Sequence, residues 1–92
     1  MMYRPRRNLI DLVKDHIPKD LSKNELEVLE YFLRNLSVGE IVAIKELRLL
    51  YKIEDPEQII GKLIRLGLIE RGEGCFNLSK NLREILKSRS QS

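Results

Sequence analysis

The apolar positions of this chain change period several times, and each change marks an element. Leu9, Ile10, Leu12, Val13 and Ile17 make a broad apolar side for a leading helix. Asn8 can cap that helix, and Pro18 stops it, because the residue before a proline avoids helical backbone. Leu26, Leu29, Phe32, Leu33 and Leu36 then recur at helical spacing behind Ser22-Lys23-Asn24-Glu25. In that tetrapeptide the serine oxygen and the glutamate carboxylate each satisfy an otherwise orphaned amide, so a helix over 23–36 is predicted, with Glu25, Glu27 and Glu30 on its outer side. Ser37-Val38-Gly39-Glu40 reads as a turn, and the β-branched run Ile41-Val42-Ala43-Ile44 as a short strand or a buried connection. Residues 45–52 read as a short helix with Leu47, Leu50 and Tyr51 inward.

The second half is better punctuated. Asp55-Pro56-Glu57-Gln58 supplies a cap, a proline at the first helical position and a glutamine three residues after the cap. The helix it starts buries Ile59, Ile60, Leu63, Ile64 and Leu66, and Gly67 stands where a left-handed residue ends a helix. Residues 68–71 and 75–78 read as strands around Gly72-Glu73-Gly74, which makes them a hairpin. Ser79 caps a last helix with Leu82, Ile85 and Leu86 inward.

The order helix, short strand, helix, helix, hairpin, helix resembles the winged helix-turn-helix family of the small microbial or archaeal type. Val42-Ala43-Ile44-Lys45-Glu46-Leu47 resembles the entry from strand to second helix, and the run from Leu63 to Arg71 resembles the exit of the third helix into the wing. Phe76-Asn77-Leu78-Ser79, followed by Leu82 and Ile85, resembles the returning wing strand that feeds a final helix. The expected fold is therefore α+β and mainly helical: a winged helix, with a three-helix core plus a two-stranded β-hairpin wing, extended by an extra N-terminal helix and a C-terminal helix. Residues 1–21 are expected to form a basic arm and leading helix, 22–88 the winged-helix domain and 89–92 a disordered tail.

The resemblance implies that the helix starting at Pro56 lies in the DNA major groove, with the wing on backbone or minor groove. Burying Ile59, Ile60, Leu63 and Ile64 leaves Glu57, Gln58, Gly61, Lys62 and Arg65 outward. Gln58, Lys62 and Arg65 are the groups there suited to bases and phosphates, with Arg71 on the wing and Lys80 on the last helix. Arg4, Arg6 and Arg7 form an arm that can lie along phosphates, as basic arms do in other DNA-binding folds. The third helix is nonetheless sparse in such groups, Glu57 opposes them, and the wing pairs Arg71 with Glu73.

Charge explains why the ends matter. The net +3 is made of +3 over residues 1–8, −3 over 9–55, zero over 56–78 and +3 over 79–92. Glu25, Glu27 and Glu30 repel DNA, so a duplex has to approach from the opposite side. On the last helix Lys80, Arg83 and Lys87 share one side, interrupted by Glu84. Heavy use of Ile, Leu, Lys, Glu and Arg with little Gln or Ala is the usage of heat-adapted proteins.

Little else in the chain carries chemistry. The single cysteine, Cys75, makes neither an internal disulfide nor a thiolate cage, and His16 stands alone at a helix end, where a cation suits the dipole. Tyr31, Phe32, Tyr51 and Phe76 read as core or core edge. No nucleophile, base or metal constellation is visible, so no enzyme, cofactor or small-molecule ligand is expected. No apolar run reaches the roughly 18 residues a membrane span needs, and the Arg-rich start is no signal peptide, so the expected location is the cytoplasm, at the nucleoid if DNA is held.

The leading expectation is a small transcriptional regulator that binds double-stranded DNA through its third helix, wing and basic ends. Flanking helices often dimerise such regulators, which favours a homodimer. The alternative is a protein-interaction module acting as an accessory subunit of a replication, transcription or repair complex. Two features motivate it: the near-neutral third helix, and the wide apolar side of the leading helix, which must be covered by the domain itself, a second copy or another protein.

Overall fold

The computed structural model describes residues 9–90. Its elements are α1 (Leu9–Val13), a 3-10 turn at Lys14–His16, α2 (Lys23–Arg34), β1 (Ser37–Gly39), α3 (Glu40–Leu49), α4 (Pro56–Arg65), β2 (Ile69–Arg71), β3 (Cys75–Leu78) and α5 (Lys80–Ser90). The strands form one antiparallel sheet in the order β1-β3-β2. The fold is α+β and mainly helical, a winged helix with a helix added at each end, as the order of motifs implies.

Local capping does what the sequence predicts. Ser22 Oγ accepts from the Glu25 amide at 3.1 Å while the Ser22 amide donates to Glu25 Oε1 at 2.9 Å, which closes the capping box of α2. Asp55 Oδ1 accepts from the Gln58 amide ahead of Pro56, and Ser79 Oγ accepts from the Leu82 amide at the start of α5. Gly67, at φ 80°, ends α4 in the left-handed region, where its amide donates to Ile64 and that of Leu68 to Leu63.

Departures from the sequence reading concentrate between Arg34 and Ile53. α2 stops at Arg34 because Asn35 leaves helical backbone at φ −120° and ψ 79°, where its side-chain amide caps the Tyr31 carbonyl, and Leu36 turns outward. Residues 37–39, read as a turn, form the third strand: Ser37 pairs Asn77, Val38 pairs Phe76 and Gly39 pairs Cys75, with Ser37 Oγ donating to Asn77 Oδ1 at 2.6 Å. The Glu40 amide then donates to the Gly74 carbonyl, and the β-branched run 41–44 becomes the first turns of α3 instead of a strand. That helix is stable here because Ala43 and Leu47 are completely buried. Leu50, expected inward, points to solvent, Tyr51 lies at the core edge against Tyr31, and Ile53 takes the core position. The reversal is made by Lys52 at φ 58°, which lets the Ile53 amide reach the Leu47 carbonyl.

The core lies between α2, α4 and the sheet. Phe32 of α2 meets Phe76 of β3 edge to face, with Leu29, Leu47, Ile60, Leu63 and Leu78 around them. α1 packs against α2 and α5, where Val13 is completely buried and Leu9, Ile10, Leu12 and Ile17 lie partly buried on the core. The wide apolar side of the leading helix is thus covered by the domain itself.

The turn between β2 and β3 is space-limited. A Cβ on Gly72 would stand 2.8 Å from Cys75 Sγ and 3.1 Å from Asn77 Nδ2. Gly72→Ala is expected to destabilise the fold by about 1–2 kcal/mol, as overpacking does. Because the closest clash is with sulfur, the loss should shrink when Cys75→Ala is combined with it. Urea unfolding of the two single variants and the double variant checks this, and additive losses would contradict it.

Candidate interaction surfaces

The residues expected on DNA are distributed over three elements. Gln58, Lys62 and Arg65 follow one another along α4 at i, i+4 and i+7, away from the buried Ile60 and Leu63. Arg71 lies on β2 of the wing, and Lys80 at the start of α5. Arg4, Arg6 and Arg7 lie outside the described residues.

Several cations on these elements are already matched by carboxylates. Lys62 Nζ stands 3.0 Å from Glu25 Oε2, which brings the α4 side chain onto the acidic side of α2. The Ser22 amide first, and Lys62 second, hold the Glu25 carboxyl below its ordinary value. Arg71 pairs with Glu40 at 2.8 Å rather than with Glu73, and its guanidinium lies 5.1 Å above the Phe76 ring. Arg83 donates to the Leu78 carbonyl and approaches Glu70 at 3.8 Å, and Arg48 meets Glu57 at 3.3 Å. Glu70 also accepts from the backbone amide of Lys80. Exposed pairs of this kind are worth little and break cheaply, but each is nearly neutral towards a phosphate. Gln58 and Arg65 remain exposed, and Arg65 makes no ion pair among the described residues.

A different surface stands out on α3. Its inner side is occupied by Ala43 and Leu47, yet its outer side presents Ile41 (75% exposed), Val42 (49%) and Leu49 (62%), continued by Leu50 (70%). Val42, Lys45, Glu46, Leu49 and Leu50 line an open groove of about 350 Å³. Behind it Tyr31 donates to Glu46 Oε1 at 2.7 Å. Burial, reinforced by that carboxylate, pushes the Tyr31 hydroxyl well above the usual tyrosine range and keeps it a donor. Tyr51 packs edge to face on Tyr31, with centroids 5.7 Å apart.

The sequence reading missed this surface because it divided residues 40–50 between a strand and a later helix. The signal was present: read as one helix, Glu40–Leu49 and Leu50 carry apolar residues on both sides, more than one buried face can use. His16 and Cys75 acquire no such setting. His16 is exposed beside Asn81 and Glu84, and Cys75 Sγ lies 3.8 Å from Asn77 Oδ1.

Residues 22–84 match the family described as PolB1 Binding Protein 2. This chain belongs to that family. The PolB1 Binding Protein 2 match starts at the capping Ser22, includes the whole of α3 and α4 and the wing, and ends within α5. No curated protein matches the chain. Among the described residues no helix is long and apolar enough to cross a membrane.

The Glu25 geometry sets a pH dependence. A carboxyl held below its ordinary value of 4.5 stabilises the fold above that pH and ceases to do so as pH falls through its lowered folded value. Glu25→Gln keeps a capping acceptor and loses only the charge, so it should lower stability by about 0.3–0.5 kcal/mol at neutral pH, the scale of an exposed ion pair or a helix-dipole charge. The gap to the wild type should narrow as pH falls below 4.5 and close as it passes through the lowered folded value. Thermal unfolding from pH 7 to pH 3 measures this, and a gap that persists in acid would contradict it.

Proposed function

We propose that this chain is a non-catalytic accessory subunit that binds the DNA polymerase PolB1. The observation that carries this reading is the family match, which covers the winged-helix elements from α2 into α5. Two features of the surface support it. The wing and α5 hold Arg71 and Arg83 against carboxylates, and α4 holds Lys62 the same way, which weakens the case for a stand-alone DNA reader. The α3 side exposes apolar residues in a contiguous stretch, as protein-binding surfaces do. Of the two expectations raised by the sequence, the accessory module is the one this family supports, ahead of the transcriptional regulator.

The test is co-purification with PolB1 of the same organism, followed by light scattering on the eluted peak. A stoichiometric complex that survives moderate salt is expected; separate elution at micromolar concentrations of both proteins would sink the reading.

Duplex contact remains as a second reading, favoured by the placement of Gln58, Lys62 and Arg65 on one side of α4. With Lys62 tied to Glu25, few phosphates are available to neutralise. The isolated chain is expected to bind mixed-sequence DNA weakly, with log affinity falling on log salt with a slope shallower than about −3. Anisotropy over a salt series, on the wild type and on Lys62→Ala with Arg65→Ala, measures it. A nanomolar, steeply salt-dependent affinity that the double variant loses would restore DNA reading as the main role.

A further inference from the structure

We propose that the outer side of α3 is the docking surface for a segment of the polymerase that presents apolar side chains next to a carboxylate. The proposal rests on the accessory-subunit reading above and adds where the contact is made and with what chemistry.

The exposed apolar groups are not an overflow from the core. Ala43 and Leu47 fill the inner side of α3 completely, while Val42, Leu49 and Leu50 line the groove on the other side and Ile41 is exposed on the same helix. The backbone also holds this arrangement against its own preference. Lys52 adopts a left-handed conformation, at φ 58°, that a residue with a Cβ disfavours, and the bend sends Ile53 into the core while Leu50 stays outside. A glycine at 52 would make the same bend without strain.

Charge selects the occupant. Glu46, which lines the groove, is engaged by the Tyr31 hydroxyl, and Arg48 on the adjacent side is matched by Glu57. Lys45, within the groove, makes no ion pair among the described residues, nor does Lys52 two residues beyond Leu50. An apolar strip that carries the unmatched ammonium group of Lys45 suits apolar anchors with an acidic neighbour, and the lysine stem adds to the apolar contact. A second copy of this chain would bring the same lysine to the contact and leave it unmatched. Nucleic acid would satisfy the lysine but offer nothing for Ile41, Val42 and Leu49.

The experiment measures binding of the full chain to purified PolB1 of the same organism by calorimetry, with the chain's own mass followed by sedimentation. Val42→Asp and Leu49→Asp change exposed positions, so their unfolding midpoints should stay near the wild type. Each is expected to weaken binding at least about ten-fold, the effect of removing a central anchor. Lys45→Glu should weaken it several-fold at low salt and flatten its salt dependence. Ser88→Ala, at an exposed position of α5, should bind as the wild type does. Folded Val42→Asp and Leu49→Asp variants that bind normally would overturn the docking surface and leave the accessory role standing. The same holds if these variants bind normally but turn a dimer into a monomer, since the occupant is then a second copy. A wild-type chain that does not bind PolB1 would overturn the accessory role and this proposal with it.

Discussion

Phe32 and Phe76 meet edge to face with ring centroids 6.2 Å apart, and this contact joins the helical half of the domain to the sheet. Phe76 sits on the central strand, opposite Val38 on one neighbour and Arg71 on the other, so one buried ring is shared by all three strands. From Phe32 the contacts continue to Tyr31 at 5.1 Å, to Tyr51 at 5.7 Å, and through the Tyr31 hydroxyl to Glu46 of α3. Aromatic pairs of this geometry contribute about 0.5–1.5 kcal/mol each beyond the area they bury. Their larger effect here is orientational: with Glu46 held by Tyr31 and Leu47 in the core, the rotation of α3 leaves Val42 and Leu49 facing away from the domain.

That orientation separates the architecture from the use usually associated with it. A winged helix is a scaffold, and function depends on the side chains it displays. On α4 and the wing, Lys62 and Arg71 are spent on Glu25 and Glu40, pairs that tie α4 to α2 and the wing to the start of α3. On α3 the side turned to solvent is apolar. Lys62 and Arg71 thus act within the domain, while hydrophobic groups of α3 are left at its surface, a distribution that favours a protein partner over a duplex.

The parts of the fold legible in the sequence are those whose causes are local. Ser22 with Glu25, Asp55 with Pro56, Gly67 and the hairpin around Gly72 each act within a few residues, and each appears in the structure where the sequence places it. The segment between α2 and α4 lacked such signals. Gly39 starts α3 without any side-chain cap, and Lys52 turns its end in a conformation that sequence statistics assign to glycine. The β-branched run 41–44 favours a strand locally, and nothing nearby opposes that preference. The candidate site fell in this same segment, which is why its residues were not singled out.

By itself the sequence determined the number and order of the main helices, the hairpin, most of the core stripe and the winged-helix architecture, because periodicity and capping are short-range properties written into neighbouring residues. Tertiary structure alone decided that Ser37–Gly39 joins the sheet, since its partners lie about 40 residues away on β3. It also decided that α1 is covered by α2 and α5, and that Lys62 and Arg71 are neutralised by acids distant in sequence. The last such decision concerns α3. A helix with apolar residues on both sides can bury either one, and only the space beside Tyr31, Phe32 and the sheet chose Ala43 and Leu47 for the core and left Val42 and Leu49 at the surface.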